Sequence, residues 1–120
     1  MSSVSFDQGQ ALDRLGGDTD LLLQIAEIFC QTAPPKLAEI RQALAAGDAG
    51  TLTRAAHSLK GSVANFSAGR AWEAARNLEM AGRGGQLDLA KELAVQLEHE
   101  VECLLGDLKA LQAGGQACAS

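Results

Sequence analysis

Aromatic residues are scarce in this chain, at 3% of its 120 residues. Its core cannot rest on stacked rings and must be aliphatic, built from Leu, Ala, Ile and Val. Runs of Val, Ile and Thr suited to strands are also missing. Ala, Leu, Gln, Glu and Arg dominate instead, a composition that favours helices. There is no basic run and the net charge is −5, which argues against nucleic acid as a partner. No apolar run approaches the roughly 18 residues of a membrane span. The opening MSSVSFDQGQ has neither the basic start nor the apolar centre of a signal peptide. The three cysteines, Cys30, Cys103 and Cys118, are odd in number and form no C-x-x-C pair, so neither a disulfide framework nor a zinc site is indicated. These absences predict a soluble, reduced, cytoplasmic chain that binds neither membrane nor nucleic acid. A single domain of this size buries roughly two-thirds of its unfolded surface.

What remains is helical segments divided by glycine. A short one is expected at residues 7–15, ended by Gly16-Gly17. Asp18 then suits an N-cap. A long segment follows at 19–46, with Leu22, Ile25, Phe29, Ala33, Leu37, Ile40 and Leu44 at spacings of three and four. Pro34-Pro35 removes two backbone donors within it, so a kink or local break is expected there. Further helices are expected at 51–66, 68–81 and 87–111, the last with a stripe of Ala90, Ala94, Leu97, Val101, Leu104, Leu108 and Leu111. The predicted fold is all-α: an antiparallel up-down-up-down four-helix bundle with the short N-terminal helix capping one end. Residues 1–113 read as one domain and 114–120 as a disordered tail. Cys30 and Cys103 read as small packing residues, and Trp72 as packing too.

The segment RAAHSLKGSVANF, residues 54–66, carries the chemistry. With Leu59 at the centre of its buried face, Leu52, Ala55, Ala56, Val63 and Phe66 all fall within about 60°. That stripe is complete without His57, which falls about 160° away. Gly61 lies one turn beyond it, Arg54 and Ala64 share the outer side, and Lys60 lies at the flank. A lone surface histidine often does nothing. A mid-helix glycine, however, costs about 1 kcal/mol against alanine and serves no packing purpose on an exposed face. Beside an imidazole it leaves room for another molecule's backbone. Lys60 and Arg54 add positive charge suited to a phosphoryl group, or are ordinary solvated charges. An imidazole nitrogen can act as a nucleophile.

The run AAHSLKGSVANF, residues 55–66, resembles the H-x-L-K-G signature of histidine-containing phosphotransfer domains. Residues 11–29 resemble the opening of such domains, and NLEMAGRGGQLD, residues 77–88, their third-to-fourth helix turn. The resemblance implies that His57 carries a phosphoryl group, with Lys60 supporting it by charge and Gly61 by clearance. It implies a phosphorelay carrier between aspartates of response-regulator receiver domains, or serving a hybrid sensor kinase. No cofactor is expected on this chain; the receiver would supply the acidic pocket and Mg²⁺. With no phosphate-cradling loop, the chain is expected to be no kinase, and it is expected to be a monomer. One departure is Ser67, where the family often has glycine. Its hydroxyl is expected to N-cap the helix that follows, with Ala68, Gly69 and Arg70 as the first turn.

Other readings use the same residues. The chain could be the phospho-accepting domain of a chemotaxis-type kinase, whose donor is ATP on a separate domain. It could be a helical adaptor, which leaves Gly61 unexplained. A di-iron bundle needs Glu-x-x-His pairs, whereas Arg54 and Gln96 stand three residues before His57 and His99. No metal site is expected, and His99 reads as a solvated surface histidine.

Overall fold

The structure, a computed structural model, describes residues 7–114. Within them the chain forms five helices and no strand: α1 (Gln8–Arg14), α2 (Thr19–Ala46), α3 (Ala49–Ala64), α4 (Gly69–Arg83) and α5 (Leu87–Gly114). Three of them start on an aspartate. The carboxylates of Asp7, Asp18 and Asp48 accept from the backbone N–H of Gln10, Leu21 and Thr51 at 3.0–3.1 Å, each satisfying a first-turn donor with no intrahelical partner. Gly47 ends α2 in the left-handed region at φ 70°, which glycine enters without steric cost. None of the helices among the described residues is long and apolar enough to cross a membrane.

Helices α2 to α5 close a ring around one core, in which α2 packs on α3 and α5, and α4 packs on the same two. The centre is aliphatic: Leu22, Ile40, Leu52, Leu59, Leu78, Leu97, Leu104 and Leu108 are all fully buried. Burying one such side chain is worth about 1.5–3 kcal/mol. Phe29 and Phe66 meet edge to face, centroids 5.4 Å apart. The short α1 packs on α2, and its Arg14 donates to the Ala64 carbonyl at 3.0 Å, pinning it to the end of α3.

Several expectations need correction. No break occurs at Pro34-Pro35, because α2 runs through both. Both prolines sit on its exposed side, while Phe29, Ala33 and Leu37 remain in the core, so packing holds the helix together across the missing donors. Helix α3 starts and ends two residues earlier than its pattern predicts, because Asp48 caps it. Cys103 is exposed and does not pack in the core, whereas Cys30 is half-buried there. Trp72 is 39% exposed. Of the expected tail, Gly114 is the last residue of α5 and the rest lies outside the described residues.

The remaining correction concerns Ser67. The residue before α4 is Ala68, which makes no side-chain cap. Ser67 itself takes the left-handed conformation at φ 52°. Its hydroxyl oxygen is buried without a hydrogen-bond partner. The last turn of α3 tightens through Phe66 N–H to Val63 and Ser67 N–H to Ala64, and the chain then reverses at Ser67. Conformational strain of about 1–2 kcal/mol and an unpaired hydroxyl therefore coincide. Ser67→Gly removes both, offset by about 0.5–1 kcal/mol of unfolded-chain entropy, so it should stabilise the fold by about 1 kcal/mol. Ser67→Ala, which removes only the hydroxyl, should not lower the melting temperature. Thermal denaturation of the two variants checks this; a clear loss in Ser67→Ala would restore the capping role.

Candidate functional site

Alanine and glycine on α4 build the site. Its inner face is Ala71, Ala74, Ala75, Leu78, Ala81 and Gly82, small enough to let α3 approach closely. The approach is close at Gly82, where a Cβ would collide with the Thr53 hydroxyl oxygen. Thr53 lies one turn before His57. This contact sets the register that brings Glu79, on the same face of α4, under the imidazole.

His57 points outward, with 63% of its side chain exposed, as its angle from Leu59 predicts. Its Nδ1 lies 3.0 Å from Glu79 Oε2. Glu79 is 3% exposed, a carboxylate in an otherwise apolar face. Arg83 donates to the same Oε2 at 2.7 Å. Lys60 Nζ forms an ion pair with the other oxygen, Oε1, at 2.9 Å. Burial pushes the Glu79 carboxyl up, but the polar contacts of Lys60 and His57 and the charges of Lys60 and Arg83 outweigh it, holding the group below its ordinary 4.5. At neutral pH it is therefore ionised and can only accept. The proton between the two side chains belongs to His57 Nδ1, and the lone pair of the neutral ring is on the outward Nε2.

The other expected residues fall into two groups. Gly61 is exposed on the His57 side, and beyond its own helix backbone and chain neighbours nothing lies within 4 Å of where a Cβ would stand. Lys60 joins His57 through Glu79. Arg54 is not part of the cluster, since it bonds the Thr51 hydroxyl at 3.3 Å. Ala64 lies two turns beyond His57, its carbonyl held by Arg14. Glu79 and Arg83 were not expected. The available signal was a glutamate interrupting the Ala71–Ala75–Leu78–Gly82 stripe, since a carboxylate on an apolar face needs cationic partners. Helices α3 and α4 also gather Arg54, Lys60, Arg70, Arg76 and Arg83 against only Glu73 and Glu79, in a chain whose net charge is −5.

The arrangement presents a single imidazole nitrogen to solvent, oriented from behind by a buried anion and flanked by open space. The Hpt domain family profile matches residues 24–113. Among solved structures the chain is similar to histidine-containing phosphotransfer protein B (HptB) of Pseudomonas aeruginosa PAO1. The two share 27% identity with a TM-score of 0.84, over 93% of this chain and 97% of that one. No curated protein sequence matches the chain.

Proposed function

The chain belongs to the Hpt domain family, and from that premise we propose that His57 is the residue on which it takes up and releases a phosphoryl group. Its role is that of a histidine phosphotransfer carrier in a two-component phosphorelay. The observation that carries the assignment to His57 is the buried Glu79 carboxylate on Nδ1, which leaves Nε2 as the exposed nucleophile.

The step needs little from the chain. The Nε2 lone pair attacks the phosphorus of a receiver's aspartyl phosphate. The Nε2–P bond forms as the P–O bond to aspartate breaks, and the carboxylate leaves. The Nδ1 proton stays on His57, shared with Glu79, so the imidazolium charge that develops is met by a fixed anion. The reverse step delivers the group to another receiver. Mg²⁺ belongs to the receiver in this scheme. Gly61 leaves room for the partner's backbone, and Lys60 and Arg83 beside the ring suit a partner with an acidic pocket. We read the ring as an antiparallel up-down-up-down bundle, because the connections at 47–48, 65–68 and 84–86 suit only antiparallel neighbours. A cytoplasmic monomer serving receiver domains, with or without a hybrid sensor kinase and without a nucleotide site of its own, completes the reading.

The test is label transfer. Phosphorylated receiver domains mixed with the chain should pass it acid-labile, base-stable label, and ATP with Mg²⁺ alone should leave it unlabelled. Label from ATP alone in a kinase-free preparation, or none from any receiver, would overturn the carrier reading.

A further inference from the structure

Lys60 and Arg83 both pair with Glu79, in different ways. Arg83 donates to Oε2, the oxygen that also takes His57 Nδ1–H. Lys60 meets the other oxygen, Oε1, at 2.9 Å. One carboxylate thus faces two full cations, leaving a local excess of positive charge beside the ring that would carry a phosphoryl dianion. The two cations also differ in freedom. An ammonium on a four-carbon stem can redirect its donors, whereas a guanidinium fork is planar and fixed. The Lys60 ammonium lies 5.9 Å from the ring centroid of Trp72, the single tryptophan of the chain.

Resting on the assignment of His57 as acceptor, we propose that Lys60 is exchanged between Glu79 and the phosphoryl group, and that Arg83 is the positioning residue that makes the exchange possible. In the unloaded protein Lys60 sits on Glu79 and against Trp72. A phosphoryl group on Nε2 offers three strong acceptor oxygens, and Lys60 turns to them. Arg83 stays behind and keeps Glu79 paired, so the buried carboxylate still holds Nδ1. Without Arg83, the departure of Lys60 would leave a carboxylate that is 3% exposed with the delocalised charge of the loaded His57 ring as its one remaining partner, a loss of pairing that burial penalises. Lys60 would then remain where it is. Trp72 loses or keeps its ammonium neighbour accordingly, and its emission reads the exchange.

Phosphoramidate loads the full chain without any protein partner. The Nε2–P bond forms as the P–N bond breaks, ammonia leaves with the protons already on the donor nitrogen, and Nδ1 keeps its own. Mass spectrometry follows the label while Trp72 emission is recorded. In the wild-type chain the emission should shift in step with labelling of His57. Lys60→Met should take label with no shift. Arg83→Gln should take label with a diminished shift, and Arg83→Lys, which keeps the charge without the fixed fork, should restore the shift in part. Arg83 is 67% exposed, so these replacements spare the core, and circular dichroism verifies the fold. A labelled wild type with unmoved emission, a full shift in Lys60→Met, or a full shift in Arg83→Gln would each overturn the exchange. Label on any residue other than His57 would overturn the acceptor assignment, and the exchange with it.

Discussion

His57→Gln should abolish acid-labile, base-stable label altogether, whether the donor is a phosphorylated receiver or a small phosphoramidate. His99→Ala should leave it unchanged. The two histidines differ in what stands behind the ring. His57 has Nδ1 on an ionised, buried carboxylate, so its other nitrogen carries the lone pair and faces solvent. His99, exposed on α5, has a ring nitrogen 3.8 Å from the Cys103 thiol and no carboxylate to set its tautomer. Glutamine at 57 is chosen because its amide N–H₂ can still donate to Glu79, which keeps the buried anion partnered. The melting temperature should therefore change little while the label disappears. Persistent label on the His57→Gln protein, traced by peptide mapping, would move the acceptor elsewhere.

The sequence displays His57 and hides what orients it. The position of His57 follows from one helix alone, because Leu52, Ala55, Ala56, Leu59 and Val63 define the buried side of α3 and the outward side is what remains. The same local logic places Asp18 as a cap, and every residue of the expected α5 stripe is buried, with Leu105 beside them. Glu79 is different. Its role depends on how closely α4 approaches α3, which is set by Gly82 against Thr53, two residues with no local pattern in common. Ser67 misleads for a related reason. Serine before a helix usually caps it, but here the chain must reverse within a few residues of α3 and the left-handed conformation overrides the cap. The prolines of α2 show the same precedence, since core contacts on both sides of the pair maintain a helix that local propensity would interrupt.

Glu79 is the residue whose replacement should do most short of removing the proposed acceptor. Glu79→Leu keeps the bulk of the side chain but offers nothing to Nδ1, so the ring loses its fixed tautomer and Lys60 and Arg83 lose their shared anion. Carboxylates that orient metal-bound histidines are worth about 10–100-fold in activity, and by the same orienting logic a loss of that order in phosphotransfer rate is expected. Glu79→Gln should lose less, because its amide oxygen can still accept the Nδ1 proton. At neutral pH either change should cost about 1.5–3 kcal/mol of stability, the range for hydrogen bonds to a charged group. The pH dependence separates charge from shape. The Glu79 carboxyl titrates below its ordinary 4.5 in the folded protein, so the unfolded chain binds that proton first as pH falls. Its contribution is fully present above 4.5 and is lost as pH drops through the folded value. The wild-type chain should thus outlast Glu79→Gln in denaturant at pH 7, with the gap closing in acid. A gap that stays constant from neutral to acid pH would mean that Glu79 acts through packing alone, and that Nδ1 of His57 is held by something other than its charge.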